Sequence, residues 1–258
     1  MSNEMGTKKG AAVTLDLWQT LILDDRELGE RRAQLRIDRV EGILKAEGAA
    51  FSQERLWHAY RETLSYCAVI RDSGRDISFD DQIWSFVERI SAGLGSRISR
   101  RARAELGQAY DRAFFDYPPP MHPEASRMIG ELKGRGYKLG VVSNTGATSG
   151  TTMREYLGQM GVLGYFDTLV FSDEARLAKP NTKIYQSAMK ALGVSPECAV
   201  HVGDDPRNDV AAAKLAGMRV VWVPNGKRAQ EMEEGQPKPD ATVGGLGEVV
   251  EAVEGLVG

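Results

Sequence analysis

The chain has 258 residues, which places it between one large domain and two ordinary ones at roughly 100–200 residues per domain. With 42% hydrophobic and 27% charged residues it holds enough apolar material for a core, which excludes wholesale disorder. Lys and Arg number 33 against 36 Asp and Glu, a net charge of −3, so no electrostatic footprint for nucleic acid or a membrane surface is present. An anionic partner therefore has to be held by a locally built site.

The opening MSNEMGTKKGAA is polar and lacks the apolar centre of a secretory signal. No run approaches the ~18 apolar residues of a spanning helix. Two cysteines, Cys67 and Cys198, exclude a disulfide framework and are expected as thiols in apolar surroundings. The expected location is the cytoplasm.

Residues 11–23, AAVTLDLWQTLIL, form a short apolar and β-branched run with one Asp, as in a buried strand and the loop leaving it. From residue 24 to 117 the pattern turns helical. Leu35, Val40, Ile43 and Leu44 recur at helical spacing, as do Leu56, Tyr60, Leu64 and Cys67 after Ser52 as N-cap. Ser78-Phe79-Asp80-Asp81 resembles a capping box ahead of Ile83, Trp84 and Val87. A fourth helix is expected over 97–115, its Arg97, Arg100, Arg101 and Arg103 forming a solvated face. Pro118-Pro119-Pro120 stops it.

Beyond the prolines, strands are expected at 139–143, 168–171, 199–202 and 219–223, with a weaker one at 241–243. Helical patterns at 123–133, 182–192 and 208–216 separate them. This alternation indicates βαβ units. The fold expected is α/β: a Rossmann-like parallel sheet flanked by helices, with the first strand in the same sheet and an all-α cap domain inserted. The division is a core of residues 1–22 and 119–258 and a cap of residues 23–118.

Polar residues gather just past the strand ends: Asp16, Ser143-Asn144-Thr145, Lys179-Pro180 and Asp204-Asp205. Ligands bind at the C-terminal strand ends of such sheets. Gly244-Gly245-Leu246-Gly247 lacks the third glycine of a dinucleotide fingerprint and reads as a turn, and Gly226-Lys227 lacks the upstream glycine of a P-loop. His58, His122 and His201 show no paired metal spacing and read as packing or surface residues.

Four segments, Asp16-Leu17-Trp18-Gln19-Thr20, Val142-Ser143-Asn144, Lys179-Pro180 and Gly203-Asp204-Asp205-Pro206-Arg207-Asn208-Asp209, follow one another in the order of the haloacid dehalogenase-like hydrolase motifs. The chain resembles that superfamily over essentially its whole length, helical cap included. The resemblance implies Asp16 as nucleophile, Thr20 and Ser143 as phosphoryl hydrogen-bond donors, and Asn144 beside Ser143 in substrate binding. It implies Lys179 as the fixed positive charge, and Mg²⁺ held by Asp16, Asp204 and the backbone carbonyl of Trp18. Asp209 either orients Lys179 or a metal water, or complements the dipole of the helix it opens. Asp205 has no assigned role.

The implied activity is a Mg²⁺-dependent phosphatase acting on a small phosphorylated metabolite, as a monomer or homodimer. The chain departs from the pattern at Trp18, where phosphatases of the family carry an Asp that protonates the leaving group. An aromatic there is shared with the metal-independent 2-haloacid dehalogenases, as is a Tyr six residues past the lysine, here Tyr185. Asp204 and Asp205 argue against that reading, and the dehalogenases' cap arginine corresponds at best to Arg31 or Arg32. A catalytically weak binding protein on the same fold is the remaining alternative.

Overall fold

The computed structural model describes residues 10–225 and 234–257. The opening segment before Gly10 and the Gly226-Lys227 pair lie outside the described residues.

β1 (Ala12–Leu15) is buried along its whole length. Val13 and Leu15 enter the apolar cluster on one face of the sheet and Ala12 the cluster on the other. Both faces are covered, which is why this strand is a continuous apolar run. β2 (Lys138–Ser143), β3 (Thr168–Phe171), β4 (Ala199–Gly203), β5 (Arg219–Trp222) and β6 (Ala241–Thr242) complete a six-stranded sheet of order β3-β2-β1-β4-β5-β6. Every pairing is parallel, and Thr14 lies beside Gly140 on one side and His201 on the other. The weak strand near 241 is a two-residue edge.

Of the six helices between β1 and β2, the first five make up the insertion: α1 (Arg26–Ala46), α2 (Gln53–Asp72), α3 (Phe79–Ile90), α4 (Leu94–Arg97) and α5 (Arg100–Asp116). Asp25, Ser52, Ser78 and Ser99 cap four of them, each side chain accepting from a backbone N–H three residues on. The insertion buries its own core, including Ile37, Leu44, Leu56, Phe86, Ile90 and Leu106. The helix expected over 97–115 is two. Ser99 is extended and caps α5, because its hydroxyl satisfies the Ala102 N–H that a continuous helix would have bonded through its backbone. Arg97, Arg100, Arg101 and Arg103 are exposed, as expected.

α6 (Ala125–Gly134), α7 (Gly150–Gln159), α8 (Ser172–Ala175), α9 (Thr182–Leu192), α10 (Ala212–Leu215) and α11 (Val249–Val257) belong to the layers around the sheet. α6, α7 and α11 cover the face of Val13 and Leu15, through Met128, Tyr156 and Val249 among others. α9 and α10 cover the opposite face through Ile184, Tyr185, Met189 and Ala213. The helix expected over 208–216 starts earlier, as a π-helical turn at Pro206–Ala211 that runs into α10. Cys67 is buried, but Cys198 is exposed, correcting the expectation of an apolar setting. It ends the short 3₁₀ turn Pro196–Cys198 outside the sheet. Among the described residues no helix is long and apolar enough to cross a membrane.

The chain builds the sheet outward from β1 to β3 on one side, then returns to β4 and builds to β6 on the other. The crevice of such a sheet opens where the order reverses, at the C-terminal ends of β1 and β4. Asp16 leaves β1 there and Asp204 leaves β4.

Candidate active site

The Asp16 backbone N–H donates to the Val202 carbonyl at 2.9 Å, which pins the residue to the end of β4. The Lys179 ammonium donates to Asp16 Oδ1 at 2.5 Å and to Asp209 Oδ1 at 2.6 Å. Asp209 Oδ2 accepts the Asp205 N–H at 3.0 Å, so both of its oxygens are committed within the protein. The π-helical turn makes this approach, and Gly203 permits it. A Cβ on Gly203 would stand 2.4 Å from Asp209 Cγ. π-turns of this kind recur at functional sites.

Asp204 is 2% exposed, and its Oδ2 is buried with no hydrogen-bond partner among the described residues. Its backbone carbonyl accepts the Trp222 indole N–H at 2.8 Å, which fixes the main chain but leaves the carboxylate facing the crevice. Asp205, unassigned from sequence, caps the π-turn by accepting the N–H groups of Arg207 and Asn208.

Three buried carboxylates surround one ammonium, and the excess negative charge sets the titration. Burial pushes Asp204 up, and the charges of Asp16 and Asp209 add to it, to about 8. Burial also raises Asp16, and the Asp209 charge reinforces this against the opposing pull of Lys179. For Asp209 burial acts upward as well, but the Lys179 charge and the His201 hydrogen bond outweigh it and hold the carboxyl well below its usual range. Lys179 is pushed down by burial and further up by its two carboxylates, so it stays protonated.

Asn144 spends both ends of its amide on the Lys179 backbone, donating to the carbonyl at 3.0 Å and accepting the N–H at 2.9 Å. That clamp aims the lysine. Thr20 and Ser143 are buried, with hydroxyl oxygens that have no hydrogen-bond partner among the described residues. Trp18 is half-buried on the cavity wall, its indole edge-on to Phe114. Gln19 adopts a positive φ of 61°, held by its amide donating to the Asp24 carbonyl at 2.7 Å.

His201, read from sequence as a packing or surface residue, is fully buried directly behind the floor. Its ring lies 2.8 Å from Thr14 Oγ1 and 3.2 Å from Asp209 Oδ1. Burial lowers its pKa, so it packs there as a neutral ring. The signal available in the sequence was its position on β4, two residues before Gly203. Tyr185 is buried beside it and donates to the Asn208 carbonyl at 2.6 Å.

A cavity of about 640 Å³ lies above this floor. Its opposite wall is supplied by the helical insertion: Arg32, Ala33 and Arg36 of α1, and Trp57, Tyr60 and Leu64 of α2. Arg32, one of the two arginines singled out from sequence, donates to Asp24 Oδ2 at 2.5 Å and to the Tyr117 carbonyl at 2.8 Å. It is thereby tied to the two crossings between insertion and core. Arg31 pairs with Glu27 on the surface, outside the residues that line the cavity.

Carboxylate oxygens of Asp16, Asp204 and Asp209 lie within 4.8 Å of one another. With Asp209 committed to Lys179 and Asp205, the orphaned Asp204 oxygen and Asp16 are the hard donors that suit a small divalent cation.

The family model for haloacid dehalogenase-like hydrolases matches residues 89–223. The chain is 33% identical to a phosphoserine phosphatase of Thermus thermophilus over 91% of its own length and 96% of that protein's. It is 38% identical to a glyceraldehyde 3-phosphate phosphatase of Methanopyrus kandleri over 48% of its own length and 52% of that protein's. A 2-haloacid dehalogenase from Pseudomonas syringae shares the fold at a TM-score of 0.68, with 20% identity over 95% of this chain and 98% of that one. On the match to this family model and this full-length similarity, the chain belongs to the haloacid dehalogenase-like hydrolases.

Proposed function

We propose that the protein is a Mg²⁺-dependent phosphatase acting on a small phosphorylated metabolite through an aspartyl phosphate on Asp16. The observation that carries the reading is the pairing of Lys179 with Asp16 beside the unpartnered Asp204 oxygen at the switch point of the sheet. The phosphatase names of the relative matched over its full length and of the one matched over about half of its length support it. In this reading residues 23–118 act as a cap over a core of residues 1–22 and 119–258.

Asp16, Asp204 and the Trp18 backbone carbonyl would hold the cation, which when bound neutralises charge on the phosphoryl oxygens. Lys179 favours the ionised form of Asp16 against the burial that raises it, and adds positive charge beside the reacting phosphorus. The Thr20 and Ser143 hydroxyls, without hydrogen-bond partners among the described residues, are available to donate to phosphoryl oxygens. An Asp16 carboxylate oxygen attacks phosphorus, a P–O(Asp16) bond forms, and the P–O bond to the leaving group breaks. The leaving oxygen takes its proton from water, since the Trp18 indole supplies none near neutral pH. Water then cleaves the acyl phosphate, releasing inorganic phosphate and restoring the carboxylate. Asn144 and Asp209 act as positioning residues, because each fixes Lys179.

Asp16→Asn tests the mechanism, since an amide cannot form the acyl phosphate. Phosphate release from p-nitrophenyl phosphate should fall by at least about 10³-fold while circular dichroism is unchanged. Turnover above a few per cent of wild type, with deamidation excluded by mass spectrometry, would overturn it. The aromatic Trp18 favours carbon–halogen hydrolysis as the second reading, and chloride release from 2-chloropropionate that persists in EDTA would establish that instead.

A further inference from the structure

One buried carboxylate of the helical insertion reaches across to the core away from the cavity. Asp76 lies in the turn between α2 and α3, and its side chain is fully buried. Its Oδ2 accepts the Ser172 hydroxyl at 2.6 Å, and its Oδ1 accepts the Ile77 N–H at 2.9 Å with the Arg71 guanidinium 3.6 Å away. Ser172, also fully buried, opens α8, and its hydroxyl oxygen accepts the Thr145 N–H at 3.1 Å. A hydroxyl has one proton to give. With that proton committed to Asp76, the Ser172 lone pairs face Thr145. Thr145 directly follows Asn144, whose amide holds the Lys179 backbone by both of its ends.

A second set of contacts leads to the same lysine. The Asp76 N–H donates to the Arg176 carbonyl at 3.3 Å, and the Gly74 carbonyl accepts the Ala178 N–H at 3.2 Å and the Asn181 side-chain amide at 2.9 Å. Residues 74–76 thus pair antiparallel with 176–178, the stretch that leads into Lys179. Gly74 has a φ of 76°, and a Cβ there would stand 2.9 Å from Asn181 Cβ, so the two segments close without room for a side chain. A buried carboxylate is tolerated only where hydrogen bonds replace its water. Ser172 and Ile77 supply them, and the first of these draws the turn onto the core. We propose that Asp76 is a positioning residue for Lys179, holding in place both loops that carry the lysine and its Asn144 clamp. The inference rests on Lys179 serving the phosphatase reaction proposed above.

Two variants interrupt the path. Asp76→Asn puts an NH2 group in one of the two acceptor positions, and Ser172→Ala removes the acceptor of the Thr145 N–H. Each should lower kcat for p-nitrophenyl phosphate by about 10-fold or more while KM changes by under about 3-fold, under conditions where urea denaturation shows the protein folded. Added to Asn144→Ala, either should cost less than about a further 3-fold, because the same clamp is already lost, whereas independent effects would multiply. Asp72→Ala, which breaks the exposed Asp72–Arg207 pair across the same seam, should leave kcat unchanged. Hydrogen exchange measured without substrate should rise at 141–147 and 176–182 in both variants and stay unchanged across β1. If Asp76→Asn does not fold, Ser172→Ala decides alone. Wild-type kcat in a folded variant overturns the proposal, as does full multiplication with Asn144→Ala or an equal loss in Asp72→Ala. If the wild type releases no phosphate but exchange rises at both segments, the proposed function fails and the hold on the lysine loop stands. If release is present and exchange does not rise at either segment, the positioning role fails alone.

Discussion

Trp18 stands two residues beyond Asp16 on the cavity wall, where a proton donor to the leaving group would be placed in a phosphatase of this family. Its ring is held edge-on by Phe114, which fixes an apolar surface on the wall of that cavity. Without a carboxylic acid there, substrates whose leaving group needs protonation should react slowest, because an alkoxide departs poorly. The expected outcome is a steep dependence of the phosphorylation rate on leaving-group pKa, with aryl and acyl phosphates far ahead of alkyl phosphates. Trp18→Asp should speed alkyl phosphate turnover by roughly 10²-fold or more if the new carboxyl reaches the leaving oxygen. A leaving-group series measured on both proteins checks this, and equal alkyl and aryl rates in the wild type would assign the proton to another residue. Asn144 belongs to the same scale. Its two bonds to the Lys179 backbone predict that Asn144→Ala lowers kcat by about 10-fold or more with little change in KM, because the lysine is misaimed, not removed.

At the scale of elements, the site depends on how β4 ends. Gly203 closes the strand, and the π-turn from Pro206 folds Asp209 back against it. Any side chain at 203 meets the Asp209 carboxylate, so Gly203→Ala must push that carboxylate away from Lys179. The expected cost is about 1–3 kcal/mol of stability from overpacking, read by urea denaturation, with a kcat loss larger than that loss of folding explains. A Gly203→Ala variant with wild-type kcat would show that the Asp209–Lys179 contact is dispensable. The helical insertion shows a related lesson. Its caps at Ser52 and Ser78 were legible because a hydroxyl precedes a periodic apolar run. The break at Ser99 was not, since helical periodicity runs on either side of it and only the observed Ser99–Ala102 bond marks the end.

For the whole molecule, crowding three carboxylates against one ammonium links stability to pH and to the cation. Asp204 titrates at about 8 in the folded chain against an ordinary 3.8, so between those values the folded state holds a proton that the unfolded chain releases. Its contribution is whole below pH 3.8 and is lost as pH rises through about 8. In EDTA the melting temperature should therefore fall between pH 6 and pH 9, and Asp204→Asn should flatten that fall and raise the melting temperature at pH 9 by something on the order of 5 °C. Added Mg²⁺ should raise the wild-type value most at high pH, where Asp204 is ionised, and leave Asp204→Asn largely unmoved. Calorimetry across pH checks both. A wild-type melting temperature that rises with pH in EDTA would contradict the charge excess.

What the sequence determined by itself was the order of parts. The apolar run before Asp16, the alternation of strands and helices beyond Pro120 and the four polar segments at strand ends are local features, and each is readable because backbone period and side-chain burial are coupled within a few residues. These were enough for the parallel sheet, the inserted helices and the family. Tertiary structure alone decided which side chains answer one another. Asp16 and Lys179 are 163 positions apart, and His201 reaches Thr14 across 187. No periodicity encodes such a pairing, because it depends on strand order and on the width of a turn such as Pro206–Ala211. Exposure is decided in the same way. Cys198 is apolar by type but sits in a turn outside the sheet, while Arg36 is charged by type but is enclosed between α1, α5 and the loop of Thr148. Burial is a property of the assembled layers, and a residue's chemistry becomes a site only when those layers close around it.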